Sequence, residues 1–257
     1  MSHNKKPVVL SFFEFTGTIL EPWAKAGYQC YAFDIQHGGP VRDSYGRPDE
    51  GFIEFRHWDA SQGRQDTCAM LCELIGMGRK VAMVFGFPPC TDLAASGARH
   101  WEAKRKADPE FQNRAVAWAK DVAHVARWFG APYMIENPQG ALSTLWRKPD
   151  HRFDPCDYGG YIPLEEAQHP RWPEYIPPQD AYTKRTCLWT SSTFFMPDRA
   201  SVEPVVLSYT REDGSVTTGS PQWGKLGGKS MKTKNIRSAT PRGFARAVFF
   251  ANAKQGA

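Results

Sequence analysis

Long apolar runs, internal repeats and a secretory leader are missing from this sequence of 257 residues. No apolar stretch approaches the roughly 20 residues that a membrane-spanning helix needs, so we expect no membrane partner. The opening MSHNKKPVVLSFFEF runs into patterned sequence without a small-residue cleavage site, which does not fit a signal peptide. These absences predict a cytoplasmic protein.

Disulfide frameworks and metal-binding motifs are missing as well. The six cysteines are scattered: Cys30, Cys68, Cys72, Cys90, Cys156 and Cys187. Cys68 and Cys72 lie four apart, but no second Cys or His pair completes a zinc site of the usual spacing. The seven histidines show no ligand spacing either. We therefore expect reduced thiols that are available for chemistry, and no metal.

A strong charge of one sign is also absent. Lys and Arg total 32 against 27 for Asp and Glu, which gives a net charge of +5. This excess is compatible with a polyanionic partner but is too small to identify one.

Short apolar, β-rich runs alternate with helical stretches over the first half of the chain. The predicted strands are PVVLSFF, YQCYAFDI, KVAMVFGF and APYMIENP, and the predicted helices cover 18–27, 64–78 and 110–130. This alternation predicts an α/β protein with a doubly wound, mostly parallel sheet. Ligands then bind at the carboxyl ends of the strands.

The amino-acid composition changes after about residue 145. Residues 147–182 are rich in Pro, Gly, His and aromatic residues and predict an irregular segment, after which YTKRTCLWTSS predicts another strand. Residues 197–236 are polar and Gly-rich with a basic stretch, GKLGGKSMKTKNIR. TPRGFARAVFFANA predicts a C-terminal helix with Thr240 as its N-cap and Pro241 at its first position.

Cys90 lies in the sharpest motif, GFPPCTDLAASG, directly after a buried strand. Two prolines before it and small residues after it predict a thiol held on a rigid turn, although a packed loop cysteine explains that segment equally well. The segment IENP ends the next strand with an acid and an amide. A carboxylate near a thiol raises the pKa of that thiol, so Glu136 makes more sense if it acts on a substrate.

Seven segments in this order resemble the DNA cytosine-C5 methyltransferase family over nearly the whole chain. They are SFFEFTG at 11–17, Asp34, DASQ at 59–62, PCTDLAASG at 89–97, IENP at 135–138, CDYGG at 156–160 with TKRTCLW at 183–189, and RSATPRGFAR at 237–246. The resemblance implies a class I methyltransferase fold of Rossmann type, S-adenosylmethionine or a modified form of it as cofactor, and double-stranded DNA as substrate. A compact chain of this kind is more similar to phage or prophage enzymes, and we expect a monomer without an obligate protein partner.

The resemblance also implies the roles of four catalytic residues. The Cys90 thiolate would add to C6 of a flipped cytosine and make C5 nucleophilic. Glu136 would hydrogen-bond the ring nitrogen and the exocyclic amine. Arg185 would contact the base carbonyl and favour the thiolate, and Asn137 would brace the loop that carries Cys90.

Two binding sets complete the expected site. The cofactor residues implied are Phe12, Glu14, Thr16, Gly17, Asp34, Ile35, Asp59, Ala60 and Pro88. The DNA-binding residues implied are Ser96, Arg99, Lys225, Lys229, Lys232, Lys234 and Arg237. We expect residues 1–189 to form the catalytic domain, 190–236 a small target-recognition region that reads a short site, and 237–257 a helix that packs back on the catalytic domain.

Three departures from the family pattern keep alternatives open. Glu14 and Thr16 stand where the cofactor loop of the family has glycines, Cys187 replaces a second arginine, and the last motif is missing or degraded. A non-catalytic DNA-binding relative, or an enzyme that transfers a modified one-carbon group, would also explain these departures. A folate-dependent enzyme of nucleotide metabolism, similar to thymidylate synthase, is a further alternative because it too uses a cysteine at C6 of a pyrimidine.

Overall fold

The computed structural model describes residues 6–45, 51–76, 78–210, 213–227 and 230–253. The strands are β1 (Val8–Phe12), β2 (Gln29–Asp34), β3 (Val41–Ser44), β4 (Phe52–His57), β5 (Val81–Gly86), β6 (Tyr133–Pro138), β7 (His151–Phe153), β8 (Thr186–Thr190), β9 (Leu207–Thr210) and β10 (Val216–Gly219). The helices are α1 (Glu21–Lys25), α2 (Gly63–Ile75), α3 (Trp101–Ala107), α4 (Phe111–Trp128), α5 (Leu142–Leu145), α6 (Pro221–Lys225), α7 (Met231–Ser238) and α8 (Arg242–Asn252). Within these ranges no helix combines the length and the apolar character that a membrane crossing requires.

Eight strands form one sheet in the order β3-β4-β2-β1-β5-β6-β8-β7. The five strands from β4 to β6 run parallel, whereas β3 pairs antiparallel with β4 and β8 pairs antiparallel with β6. The chain builds β1, β2 and β4 outward on one side and then returns to place β5 and β6 on the other, which is a doubly wound sheet. The predicted class I, Rossmann-like α/β fold is confirmed.

The central strands form because their residues are apolar and β-branched or aromatic, and helices cover them. All five residues of β1 are buried, as are five of the six in β5. Helix α4 turns nine buried residues toward the sheet. Gly86 allows this close packing, since a Cβ built there would lie 2.8 Å from Cγ1 of Val122.

The chain divides into two compact units. The first comprises residues 1–152, 186–195 and 252–257, and the second comprises 153–185 and 196–251. This division places 153–185, which we assigned to the catalytic domain, in the same unit as the polar, Gly-rich segment. It also places most of α8 in the second unit, where the ring of Phe244 stacks on Phe153 at 4.0 Å between centroids.

Helix α7 was not predicted: its polar sequence MKTKNIRS falls in the basic stretch, to which no helix or strand was assigned. Ser230 caps this helix, and its hydroxyl accepts a hydrogen bond from the backbone N–H of Thr233 at 3.1 Å. Ile236 is fully buried and shares a small apolar cluster with Ile176, Tyr182 and Leu226. A single cap and one apolar anchor fix a helix whose composition alone does not predict it.

His169 is a buried histidine of the second unit that is held in its neutral form. Its Nδ1 accepts hydrogen bonds from the backbone N–H groups of Arg171 at 3.2 Å and Trp172 at 2.9 Å. Burial, helped by the charges of Arg242 and Arg171, lowers the pKa of His169 to about 4. Protonation would break both hydrogen bonds, because the protonated nitrogen can no longer accept them.

The low pKa of His169 predicts a loss of stability in acid. Above pH 6.5 the imidazole is neutral in both the folded and the unfolded chain, so it contributes no pH dependence. Below that, the unfolded chain takes up the proton first, and the loss grows until the pH reaches the folded pKa of about 4. At pH 5 the native state should lose up to about 2 kcal/mol relative to pH 7 from this residue.

Urea unfolding of the wild-type chain and of His169→Asn, each at pH 7 and at pH 5, measures this loss in the free energy of unfolding. The variant should show a smaller loss between the two pH values, whereas His100→Asn, an exposed control, should behave like the wild type. An unchanged loss in His169→Asn would contradict the assignment.

Candidate functional site

The carboxyl ends of β1, β2, β5 and β6 lie along one edge of the sheet in the first unit. β1 and β5 are neighbours, but the chain leaves β1 toward β2 and leaves β5 toward β6. Loops that diverge in this way open a crevice in which ligands bind.

Cys90 follows β5 on a short, constrained turn. Buried Pro88 and exposed Pro89 lead into a single 3-10 turn over Cys90–Asp92. The carbonyl oxygen of Cys90 accepts hydrogen bonds from the N–H groups of Leu93 at 3.0 Å and Ala94 at 2.8 Å. The side chain of Cys90 is exposed, so its thiol lies at the surface of a rigid turn rather than in the core.

The loop that carries Cys90, Pro88–Ala95, is fixed against the end of β6. The side-chain amide of Asn137 donates to the carbonyl of Pro88 at 2.8 Å. The N–H of Ala95 donates to the carbonyl of Gln139 at 3.0 Å, and the N–H of Ala141 donates to the carbonyl of Leu93 at 2.7 Å. These three bonds join the loop after β5 to the loop after β6 along their length.

Gly140 is required for this approach. A Cβ built on Gly140 would lie 1.9 Å from the carbonyl oxygen of Leu93 and 3.0 Å from Cα of Ala94. Both obstacles are backbone atoms, which cannot rotate away. Only glycine lets the two loops lie this close together.

Glu136 and Asn137 are the last polar side chains of β6. Glu136 is half-buried, and Asn137 is 1% exposed. On the other side of β6, the antiparallel strand β8 places Leu188 beside Glu136 and Cys187 beside Asn137. Cys187 is fully buried and packs in the main core.

Arg185 belongs to the second unit and precedes β8 by one residue. Burial raises the pKa of Asp154 in the same unit, and the positive charge of Arg185 acts in the opposite direction.

A second set of contacts holds the end of the Cys90 turn at Asp92. The two residues that make them, Lys104 and Gln112, were not predicted to belong to the site. Lys104 on α3 forms an ion pair with Asp92 at 2.6 Å. Gln112 on α4, which is 9% exposed, donates to the carbonyl of Asp92 at 3.1 Å. Ser96 and Arg99 follow the turn as exposed residues, and Nε of Arg99 donates to the ring of His100 at 3.1 Å.

Glu14 dominates the loop after β1. The preceding residue, Phe13, has φ = 58°, a conformation that is rare for a bulky side chain and turns the chain out of the strand. Glu14 itself is only 3% exposed. Its Oε1 accepts three hydrogen bonds, from the N–H of Thr16 at 2.8 Å, the hydroxyl of Thr16 at 2.8 Å and the N–H of Gly17 at 2.7 Å.

The other oxygen of Glu14, Oε2, is buried and has no hydrogen-bond partner among the described residues. Burial raises the pKa of Glu14, and the charge of nearby Asp34 raises it further, while the three hydrogen bonds act in the opposite direction. The carboxylate is thus well bonded on one side and unsatisfied on the other.

Asp34 ends β2 as a carboxylate that is 7% exposed. Its Oδ1 accepts the N–H of Gln36 at 2.8 Å, and the next residue, Ile35, is 61% exposed. Asp59 caps the 3-10 turn that contains Ala60, and the backbone N–H of Ser61 lowers the pKa of this carboxyl.

Three aromatic side chains, Phe12, Trp58 and Trp118, border a small cleft beside these strand ends in the first unit. Its lining residues are Phe12, Trp58, Ala60, Gly63, Arg64, Thr67, Trp118, Asp121, Val122 and Val125. The ring of Trp58 packs edge-on against Phe12 and Phe13, both at 5.0 Å between centroids. Trp118 on α4 also borders the cleft.

Three of the basic residues of the second unit contact other groups of the protein, and a fourth is exposed to solvent. Lys225 donates to the carbonyl of Glu174 at 2.9 Å, and the ammonium of Lys232 lies 5.4 Å from the centre of the Tyr175 ring. Arg237 donates to the carbonyl of Leu226. Lys234 is exposed on α7, and Lys229 lies outside the described residues.

Metal-ligand geometry is not found in the described ranges, where no group of three or more His, Cys, Asp or Glu side chains is arranged to hold an ion. The six cysteines all lie within the described ranges, and none of them forms a disulfide.

Comparison with known proteins gives likenesses of fold to solved structures. No protein-family model and no curated protein matches the chain. It is similar to the crystal structure of a prophage-encoded protein of E. coli described as a candidate DNA modification methyltransferase, with 14% identity and a TM-score of 0.39. The match covers 78% of this chain and 53% of that one, so the chain spans about half the length of the structure that it resembles. A likeness at this level assigns no residue roles.

The close approach at Gly140 predicts that Gly140→Ala disrupts the loop that carries Cys90. The added methyl must displace the Leu93 carbonyl, which should destabilise the protein by about 1–3 kcal/mol and break the Ala141–Leu93 hydrogen bond. Thermal unfolding and amide hydrogen exchange of residues 90–97 measure both effects.

Gly97→Ala is the matched control, since a Cβ there meets its nearest neighbour, the carbonyl of Thr91, at an ordinary 3.6 Å. If both variants behave alike, the loop does not depend on the contact at Gly140.

Proposed function

We propose that the chain is a DNA cytosine-C5 methyltransferase that uses Cys90 as its nucleophile. The observation that carries this proposal is the fixed position of the Cys90 loop against the β6 end that bears Glu136 and Asn137. A nucleophile that must reach one ring atom of a base benefits from a turn held by hydrogen bonds on both sides. Cys90 has these in Asn137, which bonds to Pro88, and in Lys104, which pairs with Asp92.

The residues of the site would act on the base in sequence. The Cys90 thiolate adds to C6 of a flipped cytosine, and the electron pair of the C5–C6 double bond becomes available at C5. Glu136 in its protonated form donates to the ring nitrogen and accepts from the exocyclic amine, so its proton neutralises the charge that develops on the ring. After C5 is substituted, a base removes the C5 proton, and the sulfur of Cys90 leaves C6.

The strand ends fit a cofactor of the S-adenosylmethionine type. Asp34 is a buried carboxylate of the kind that accepts hydrogen bonds from ribose hydroxyls. Glu14 has a buried oxygen without a partner among the described residues, which fits a ligand that carries a hydrogen-bond donor. When bound, this cofactor supplies an electrophilic methyl group on a sulfonium.

Duplex DNA is the proposed substrate, and the basic residues of the second unit are the proposed phosphate contacts. Lys232, Lys234 and Arg237 are exposed on α7, and Lys225 is exposed at the end of α6. Cations of this kind bind the backbone without reading sequence. Arg185 is proposed to contact the base carbonyl.

A non-catalytic DNA-binding relative is the second candidate, favoured by the observation that Glu14 fills a loop where the resembled family has glycine. Such a protein would bind DNA but neither bind the cofactor nor form an adduct.

Replacement of Cys90 separates the two candidates. Cys90→Ala should lower methyl transfer by more than about a thousandfold while leaving DNA affinity unchanged, because only the nucleophile is lost. On duplex DNA that contains 5-fluorocytosine, the wild-type protein should form a covalent complex that survives denaturing electrophoresis, and Cys90→Ala should form none.

Cys72→Ala, at a partly exposed thiol on α2, is the matched control and should still form the complex. Trapping by Cys90→Ala would exclude this nucleophile, and the absence of trapping by the wild type with intact DNA binding would favour the non-catalytic relative.

Replacement of Lys234 tests the phosphate contacts. Lys234→Gln should weaken binding to all duplex sequences alike and reduce the slope of log affinity against log salt by about one, because one fewer counterion is released. Binding titrations at several salt concentrations measure this. Lys25→Gln, which removes a cation paired with Glu21 on α1, should leave the slope unchanged; equal slopes for all three proteins would remove Lys234 from the interface.

A further inference from the structure

The backbone donors that follow β1 are already occupied by a side chain of the protein. Oε1 of Glu14 takes the N–H groups of Thr16 and Gly17 together with the Thr16 hydroxyl, all within 2.8 Å. Successive N–H groups in a loop of this kind form an anion-binding concavity. In this chain the Glu14 carboxylate occupies that concavity, so these donors are not available to a carboxylate of a ligand.

The charge around this loop also disfavours a second anion. Asp34 lies close enough for its charge to raise the pKa of Glu14. A ligand carboxylate at the same place would be the third negative charge in the group. A cationic group experiences the opposite, since two carboxylates attract it.

The unsatisfied oxygen of Glu14 indicates which kind of group is missing. Oε2 is buried on a side chain that is 97% buried, and it has no partner among the described residues. A buried carboxylate oxygen without a donor is unfavourable, and an ammonium N–H satisfies it with a charge-assisted hydrogen bond.

We propose that Glu14 determines how the amino-acid end of the cofactor binds, by accepting its α-ammonium group while the loop after β1 makes no use of its carboxylate. The inference rests on the proposed function, because it assumes a ligand of the S-adenosylmethionine type. It assigns a role to the Glu14 side chain: one carboxylate oxygen shapes the loop, and the other accepts a cationic group of the ligand.

A ligand series on the wild-type chain tests the proposal without any variant. Isothermal titration calorimetry compares S-adenosylhomocysteine with its deaminated analogue, which keeps the carboxylate, and its decarboxylated analogue, which keeps the amine. Loss of the amine should weaken binding by about 10- to 100-fold, because the Glu14 oxygen is left unsatisfied. Loss of the carboxylate should change the affinity by less than about threefold.

Glu14→Gln then tests the residue itself. The amide oxygen can keep the bonds to Thr16 and Gly17 but carries no charge, so the preference for the amine should fall to within about threefold. Glu21→Gln, at a partly exposed carboxylate that pairs with Lys25 on α1, is the matched control and should keep the full preference. Thermal unfolding establishes that each variant is folded.

The outcomes are distinct. A larger loss on decarboxylation than on deamination overturns the inference, as does an undiminished amine preference in a folded Glu14→Gln. Failure of all three ligands to bind the wild type overturns the proposed cofactor, and this inference with it, whereas failure of the inference alone leaves binding of S-adenosylhomocysteine intact.

Discussion

Two loops at adjacent strand ends lie as close together as a polypeptide backbone allows, and the proposed chemistry depends on this contact. The carbonyl of Leu93 faces Gly140 with no room for a Cβ between them, and Asn137 bonds to Pro88 at the base of the same loop. The parallel sheet makes the contact possible, because β5 and β6 are neighbours that end at the same edge. A thiol on such a turn has few positions open to it, which is what attack on a single ring carbon requires.

The loop after β1 is also held by hydrogen bonds, but these are made to a side chain of the loop itself. Phe13 turns out of the strand in a left-handed conformation, and the Glu14 carboxylate then folds back onto Thr16 and Gly17. One carboxylate oxygen shapes the loop, and the other is left for a ligand. The Cys90 loop is thus fixed by neighbouring strands, whereas the Glu14 loop is fixed from within, and together they define the edge of the sheet at which we place the reaction.

The sequence predicted β1, β2, β5, β6 and β8 because each is a short apolar run followed by a turn. It predicted where Cys90, Glu136 and Asp34 lie along their strands for the same reason. It did not predict β4, whose sequence FIEFRH mixes apolar with charged residues. It also did not predict α7, whose stability depends on the Ser230 cap and on burial of Ile236 among residues distant in sequence. Nor did the substitution at Glu14 show by itself that the side chain folds back and is buried, since that depends on packing and not on composition.

The central claim is that the turn carrying Cys90 serves transfer of a methyl group to C5 of cytosine in DNA. Its most direct test is intact-mass analysis of the nucleosides from duplex DNA after incubation with the wild-type chain and S-adenosylmethionine. The account predicts a deoxycytidine that is heavier by one methylene unit, with adenine, guanine and thymine nucleosides unchanged. Modified deoxyadenosine, or a deoxycytidine that stays unmodified although the protein binds both DNA and cofactor, would contradict it.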